Sequence, residues 1–188
     1  MKITLEDLMK EQKSVTIIGG GLAGCEAAWQ LLNADIYVKL IEMRPIKSTP
    51  AHSTDNLCEL VCSNSFRSDD KCNSAIGLLH EEMRLCNSII MKAADTTKVP
   101  AGSALAVDRN KFSQIVEENL YSHKSFELIR SEQTTIPKSN KEKFIIATGP
   151  LTSETFSKEL LKLTGEDSLD FFDAIAPIIY KDTIDFSK

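Results

Sequence analysis

VTIIGGGLAG (residues 15–24) decides the fold of this chain. Its first four residues are apolar or β-branched and run into glycines, which predicts a short buried strand of a parallel sheet. The composition of residues 22–32 predicts a helix, and residues 36–41 predict a second strand. A strand, a helix and a strand within about thirty residues form a βαβ unit, so this stretch opens an α/β fold.

The glycine spacing within this stretch is typical of a dinucleotide-binding loop. In Gly-x-Gly-x-x-Gly, the first glycine permits a tight turn, the second lets the backbone approach a pyrophosphate, and the third lets the helix pack on the strand. A pyrophosphate then contacts N–H groups at the positive end of the helix. We assign this phosphate loop to Gly19, Gly20, Gly21, Leu22, Ala23 and Gly24.

The second predicted strand ends in an acid. Glu42 lies about 20 residues beyond the glycines, where a carboxylate accepts hydrogen bonds from the ribose hydroxyls of an adenosine and disfavours a 2′-phosphate. The loop alone does not distinguish NAD from FAD. A later apolar strand, residues 144–147, ends in Thr148-Gly149 and looks like the Ala-Thr-Gly turn of flavoproteins with two dinucleotide domains, which favours FAD.

The middle of the chain is harder to assign. Residues 44–73 predict a long irregular loop that packs through a few apolar side chains. Residues 74–94 predict one helix, because their apolar residues fall on a single stripe. The stripe consists of Leu78, Leu79, Met83, Cys86, Ile89 and Ile90.

The later elements alternate between helix and strand. Asp108 predicts the N-cap of a helix that runs to Leu120, and residues 126–129 predict a strand. Residues 153–163 predict a further helix that ends at Gly165. This alternation predicts an α/β fold with a mostly parallel sheet.

Composition is that of an ordinary globular protein. The 188 residues are 42% hydrophobic and 26% charged, and the net charge is −5, which does not favour a protein that binds nucleic acid with its whole surface. No run of 18 or more apolar residues predicts a membrane span, and the first residues lack the features of a signal peptide. We therefore expect no membrane association and a cytoplasmic location.

Cysteine usage predicts neither disulfides nor metal. The five cysteines are odd in number, and no export signal accompanies them, which argues against a disulfide framework. The spacing of Cys58, Cys62 and Cys72 contains no Cys-x2-Cys pair, and no histidine pair has ligand spacing. We therefore predict no metal site.

The segment ELVCSNSFR (residues 59–67) gathers a thiol, hydroxyls, an amide and a guanidinium in one loop. A neighbouring Arg67 would favour the thiolate of Cys62, which is the nucleophilic form. A buried inert cysteine explains Cys62 equally well on these grounds. Earlier in the chain, His52 is more typical of a hydrogen-bonded loop residue than of a catalytic base.

Several stretches taken together resemble one family, the folate- and FAD-dependent tRNA (uracil-5-)-methyltransferases known as TrmFO. The stretches span nearly the whole chain from residue 15 and occur in the family's order. They are VTIIGGGLAGCEAAWQL (15–31), IEMRP (41–45), ELVCSNS (59–65), GLLHEEMR (77–84), VPAGSALAVDR (99–109), IIATGPLTS (145–153) and APIIYKD (176–182).

The resemblance implies a Rossmann-type, glutathione-reductase-like FAD domain and the formation of 5-methyluridine in the tRNA T-loop. Methylenetetrahydrofolate supplies the carbon, FAD supplies the reducing power, and NAD(P)H is the ultimate donor. Cys62 matches a catalytic cysteine beside the flavin. Met43, Arg44 and Asn64 lie in motifs that border the cofactor, as do Thr148 and Gly149. The resemblance extends to the larger tRNA-modifying flavoprotein group that includes MnmG.

The resemblance also sets expectations about domains, because the family is more than twice as long. Residues 1–13 are expected to be an N-terminal extension, 14–180 the first half of the FAD domain, and 181–188 the start of an inserted domain. The sheet is then incomplete relative to the family. We expect dependence on a missing C-terminal half as a separate chain, or homo-oligomerisation.

Two hypotheses about activity follow from this length. The chain is either a methyltransferase of this family, as its first half or a shortened homologue, or a non-catalytic remnant that binds FAD. A second nucleophilic cysteine for the uracil ring, which the family is thought to use, has no match here, and this favours the remnant.

Overall fold

A computed structural model describes residues 13–137, 142–165 and 184–185 of the chain. In chain order its helices and strands are β1 (Ser14–Ile18), α1 (Leu22–Asn33), β2 (Tyr37–Glu42), β3 (Ser65–Ser68), α2 (Ala75–Leu85), α3 (Ile89–Thr96), β4 (Lys98–Val99), β5 (Ala104–Val107), α4 (Arg109–Tyr121), β6 (Phe126–Arg130), β7 (Lys143–Ile146) and α5 (Glu154–Thr164). A 3-10 turn, Gly149–Leu151, precedes α5.

The main sheet has four parallel strands in the order β6-β2-β1-β7. Strand β1 pairs with β2 over Ser14–Ile18 and with β7, and β2 pairs with β6. All four strands therefore end at one edge, where ligands of open α/β sheets bind. The predicted α/β class, the mostly parallel sheet and the opening βαβ unit are confirmed.

The core lies between this sheet and the helices. Alternate residues of β2 are buried, and the inner faces of α1, α3 and α4 complete the cluster. Its fully buried members include Ile17, Ala28, Leu40, Ile89 and Phe112. Packing of this kind fixes α1 against the sheet and so fixes the helix end that follows the glycines.

The long irregular segment predicted for residues 44–73 is partly wrong. It contains β3, which pairs with β5 in a second, antiparallel sheet of order β3-β5-β4. Two serines bound β3, so its sequence lacks the apolar alternation that predicts a strand. Sequence patterns predict neither β4 nor β5, and β4 is only two residues long.

The single helix predicted for residues 74–94 is also wrong, because the chain breaks it into α2 and α3. Asn87 between them has a φ of 56°, in the left-handed region. Ser88 then caps α3 by accepting a hydrogen bond from the Met91 N–H. The first half of the predicted stripe faces outward, since Leu78 and Leu79 are 50% and 52% exposed.

Other local signals are confirmed. The Asp108 side chain caps α4 by accepting from the Lys111 N–H at 3.2 Å. Helix α5 ends at Gly165, whose φ of 73° is left-handed. No described helix is long and apolar enough to cross a membrane.

The predicted domain boundaries lie mostly outside the described residues. Of the proposed extension 1–13 only Lys13 is described, and beyond Gly165 only Ile184 and Asp185 are. These boundaries therefore stay predictions.

Candidate functional site

A cavity of about 320 Å³ opens at the edge where the four parallel strands end. The segments that follow β1, β2, β6 and β7 form its walls, and one further wall comes from the loop between β2 and β3. Its lining comprises residues 18–23, 41–44, 131–133 and 147–153, with His52, Glu59, Val61 and Phe156. The topology therefore brings most of the predicted site residues into one cavity.

The glycine loop crosses this edge in close contact with its neighbours. Gly19 has a φ of 107°, and a Cβ there would lie 2.5 Å from the Ala147 carbonyl oxygen. A Cβ at Gly24 would overlap the Gly19 carbonyl oxygen. These positions therefore require glycine for the turn and for the approach of α1 to β1.

Gly21 differs from the other loop glycines because a Cβ there would meet nothing within 4 Å. The open space lies at the start of α1, whose N-cap is Gly21 and whose first turn has no side-chain cap. N–H groups at a helix N-terminus without a side-chain cap attract anions. The loop therefore presents an anion-binding helix end to open space.

Glu42 ends β2 and is only 6% exposed. Its Oε2 accepts a hydrogen bond from the Gly20 N–H at 2.8 Å. Its Oε1 accepts from the Arg44 N–H at 3.0 Å and from Arg44 Nε at 2.8 Å. Because each carboxylate oxygen accepts about two hydrogen bonds, Oε2 is the oxygen that retains capacity for a ligand.

Arg44 is 2% exposed and lies between two acids. Besides Glu42, its Nη1 donates to Glu59 Oε2 at 2.9 Å and to the Thr54 carbonyl oxygen at 3.3 Å. Glu59 also lines the cavity. No sequence pattern distinguishes it from its neighbours as a site residue. Only the folded structure shows the contact, since Glu59 and Arg44 lie in different parts of the loop after β2.

Two titrating groups of the cavity have shifted pKa values. Burial alone would raise the pKa of Glu42, but hydrogen bonds from Arg44 and Gly20 outweigh it and hold that pKa below its ordinary value. Burial, with the charge of Arg44, lowers the pKa of His52. Both effects disfavour the protonated form of His52, and its Nδ1 lies 2.7 Å from Thr49 Oγ1.

The segment after β6 forms a wall that the sequence interpretation missed. The Ser131 N–H donates to the Glu42 carbonyl oxygen at 3.0 Å, and Glu132 pairs with Lys47 at 2.7 Å. The available signal was positional: residues that follow a parallel strand of the sheet lie at its ligand-binding edge.

The Ala-Thr-Gly turn after β7 also lies at the cavity. The Ala147 N–H donates to the Ile18 carbonyl oxygen at 2.8 Å, which places Thr148 and Gly149 beside the glycine loop. Thr148 Oγ1 accepts from Thr152 Oγ1 at 2.6 Å. This turn and the glycine loop therefore line the same cavity.

Cys62 and Asn64 lie next to the cavity but are absent from its lining. Asn64 Nδ2 donates to the Val107 carbonyl oxygen at 2.9 Å, which ties this loop to β5. Cys62 is partly buried, and its carbonyl oxygen accepts from Arg109 Nη2 at 3.4 Å. The guanidinium that contacts the Cys62 backbone is therefore that of Arg109, whereas Arg67, the neighbour singled out by sequence, is exposed.

Metal-ligand clusters are absent from the part of the chain that the structure describes. The groups that the cavity does offer to a ligand are an anion-binding helix end and the carboxylate of Glu42, while the guanidinium of Arg44 is engaged by its two acids.

Comparison with known proteins identifies the family of this chain. The profile of the family described as glucose inhibited division protein A matches residues 14–188. The chain belongs to this family. That match and the relatives below also confirm the family resemblance inferred from the sequence motifs.

Curated relatives carry a more specific name. The chain is 59% identical over 176 residues to a methylenetetrahydrofolate–tRNA-(uracil-5-)-methyltransferase TrmFO of Paramagnetospirillum magneticum, with 94% of this chain and 39% of the relative covered. It is 58% identical over 173 residues to the TrmFO of Bartonella tribocorum, with 92% and 36% covered. The chain thus spans less than two fifths of the length of these relatives.

Among solved structures, the chain is similar to the GidA-related protein from Thermus thermophilus. The TM-score is 0.43 and the identity 15%, over 73% of this chain and 53% of that one.

Proposed function

We propose that this chain binds FAD through its adenosine diphosphate moiety and serves the FAD-dependent formation of 5-methyluridine in tRNA. The observation that carries the proposal is the open cradle at Gly21, where the first turn of α1 has no side-chain cap and faces a cavity that also holds Glu42. A pyrophosphate and an adenosine ribose require these two features at this spacing.

The described residues fit the cofactor by their chemistry. The helix end and Gly21 provide N–H donors without a Cβ between them and a phosphate. Glu42 offers Oε2 to a ribose hydroxyl, since its Oε1 is engaged by Arg44. Met43, Thr148 and Gly149 line the same cavity and complete the proposed binding set.

The reaction class comes from the relatives, whose name includes methylenetetrahydrofolate and the uracil of tRNA. Bound FAD would supply the reducing equivalents that convert a transferred methylene to a methyl group. In this proposal NAD(P)H reduces the flavin, tRNA is the substrate and the location is cytoplasmic. Because the chain spans 39% of that relative, the complete reaction is a proposal for this chain.

Cys62 is the proposed catalytic nucleophile. Supporting this role, its loop joins the cavity through Val61, which lines it, and Arg109 fixes the Cys62 backbone. Asn64 would act by holding the loop on β5 rather than by touching the cofactor. Nucleophilic chemistry beside the flavin requires the thiolate form of Cys62, and the attack on the uracil ring is not assigned to this residue.

A second candidate is a protein that binds FAD without catalysis. The observation that favours it is the position of Cys62 and Asn64 outside the cavity lining. Another tRNA-modifying flavoprotein activity of the MnmG type is a further alternative, because family membership alone does not separate the two activities.

Flavin binding by the 188-residue chain tests the proposal. We expect FAD to bind near one per chain, with ADP as a competitor, as measured by flavin fluorescence and the visible spectrum. Gly21→Ala should weaken FAD binding by at least about tenfold, because its Cβ fills the phosphate cradle. Its effect on the melting temperature should be small, because φ at Gly21 is −78° and its Cβ space is open, while alanine is less favourable than glycine at an N-cap.

A folded wild-type chain that binds neither FAD nor ADP would exclude the proposal. Equal FAD affinity in Gly21→Ala and wild type would place the cofactor elsewhere. If FAD binds, transfer of a labelled methylene carbon to tRNA, with Cys62→Ala as control, separates the enzyme from the non-catalytic alternative.

A further inference from the structure

An arginine follows the proposed ribose acid by two positions. In dinucleotide folds an acid at the end of the second strand selects a free ribose 2′-hydroxyl, whereas an arginine nearby accommodates a 2′-phosphate. This chain has both, as Glu42 and Arg44. The contacts of Arg44 therefore decide which ribose the site accepts.

The guanidinium of Arg44 donates hydrogen bonds from two of its nitrogens. Its Nε donates to Glu42 Oε1 at 2.8 Å, and its Nη1 donates to Glu59 Oε2 at 2.9 Å and to the Thr54 carbonyl oxygen. Two carboxylates and one guanidinium give this three-residue cluster a net negative charge, and the Arg130 guanidinium contacts it from the backbone side, at the Arg44 carbonyl oxygen at 3.0 Å. A phosphate dianion at the ribose would be repelled.

Glu59 is itself held in place by the loop after β2. Its Oε1 accepts from the Ser53 N–H at 2.8 Å, and its Oε2 accepts from the Thr54 N–H at 3.2 Å. Its side chain is 12% exposed. Because backbone donors fix both oxygens, Glu59 cannot turn away to release Arg44 toward a ligand without breaking them.

We propose that Glu59 is a specificity-determining residue, which holds Arg44 away from the ligand so that the site selects an adenosine with a free 2′-hydroxyl and rejects a 2′-phosphate. This inference rests on the proposed function. The proposed reaction uses NAD(P)H as electron donor, so a resident FAD site that admitted a 2′-phosphorylated dinucleotide would be subject to competition by that donor.

Binding of two matched probes, ADP-ribose and 2′-phospho-ADP-ribose, tests this role by calorimetry. The wild-type chain should prefer ADP-ribose. Glu59→Gln should reduce this preference by about tenfold, because it removes one negative charge beside Arg44 and weakens the contact that holds the Arg44 guanidinium. A merely structural role would weaken both probes by the same factor and leave their ratio unchanged.

Glu132→Gln is the matched control for charge. Glu132 lines the same cavity but pairs with Lys47 at 2.7 Å. Glu132→Gln removes one charge from the cavity without freeing Arg44. Its effect on the ratio of the two probe affinities should therefore be several-fold smaller than that of Glu59→Gln. Equal effects of the two variants would overturn the proposal, because they would show general electrostatics alone.

The outcomes separate this inference from the proposed function. A wild-type chain that binds neither probe nor FAD overturns both. A chain that binds ADP-ribose with a ratio unaffected by Glu59→Gln overturns the inference alone. If Glu59→Gln does not fold, Glu59→Asp replaces it, because it shortens the side chain by one methylene. Glu59→Asp should lose part of the preference for ADP-ribose. An unchanged ratio of the two probe affinities in Glu59→Asp would also overturn the inference.

Discussion

Two arginines of this chain each lie between two carboxylates, and they differ in burial. Arg44 is 2% exposed and joins Glu42 to Glu59 at the cavity. Arg84, in α2, is 25% exposed and joins Asp69 at 2.9 Å to Asp95 at 2.8 Å. An arginine between two carboxylates therefore occurs once inside the protein and once near its surface, where Glu81 also lies 3.9 Å from Arg84.

The difference teaches what each cluster can do. Near the surface, water and salt screen the charges, so Arg84 contributes little more than a tie between α2, α3 and the loop after β3. Its hydrogen bonds with Asp95 and Asp69 raise its already high pKa. In the buried cluster each partner depends on the others, and the arrangement of the cavity depends on all three residues.

Removal of Arg44 should have the largest effect. Arg44→Met leaves two buried carboxylates without their cation, and we expect a loss of ~3–5 kcal/mol in the free energy of unfolding. Urea denaturation at pH 7 measures it. Glu42→Gln and Glu59→Gln added to Arg44→Met should restore part of the loss, since no buried charge is then left unpaired. A loss below about 1 kcal/mol would show that water reaches this cluster.

Acid should affect both clusters, with a smaller effect than loss of Arg44. Burial raises the pKa values of Glu42 and Asp69, but hydrogen bonds, chiefly from arginine, outweigh it and hold both below their ordinary values of 4.5 and 3.8. A carboxylate with a lowered folded pKa stabilises the fold above its unfolded pKa, and this stability is lost as the pH falls toward the folded value. Stability should therefore decrease progressively below about pH 4.5.

The decrease in stability at low pH can be assigned to particular carboxylates by comparing urea midpoints at pH 7 and at about pH 3.5, a pH below the onset of that decrease. Glu42→Gln and Asp69→Asn should each lower stability at pH 7 and flatten the decrease toward acid. Flattening in one variant and not in the other would assign the decrease to that carboxylate. If both variants lose stability in acid as the wild type does, other carboxylates cause the decrease.

The two clusters also show what sequence can predict. The βαβ unit, and the places of the glycine loop and Glu42 within it, are predicted correctly because their signal is local: spacing, β-branched runs and a strand end. Glu59 escapes prediction because it reaches Arg44 only through the folded path of the loop. The same holds for the segment that follows β6, which reaches the cavity only by the order of strands in the sheet.

The wrong helix prediction has a comparable cause. The stripe from Leu78 to Ile90 has helical spacing, yet Asn87 takes a left-handed conformation and its carbonyl oxygen accepts from Trp29 Nε1 at 2.8 Å. Glu26 accepts from Ser88 Oγ at 2.7 Å and fixes the start of α3. Tertiary contacts with α1 thus stabilise the break, and Asn87-Ser88 is a local signal for it, since Asn tolerates the left-handed end of a helix and Ser is a favoured N-cap.

Removal of Arg84 should have the smallest effect and thereby sharpen the comparison. Arg84→Met leaves Asp69 with His80, whose Nδ1 lies at 3.0 Å, and with Lys98 at 3.5 Å, so Asp69 keeps basic neighbours. We expect a loss of at most ~1 kcal/mol in the free energy of unfolding at pH 7 and unchanged FAD affinity. Because exposed pairs are screened, about 1 M salt should remove much of this difference but little of the Arg44→Met difference. If Arg84→Met costs as much as Arg44→Met, burial is not what separates the two clusters, and the Asp69–Arg84 contact would then have to be a principal tie between the second sheet and α2.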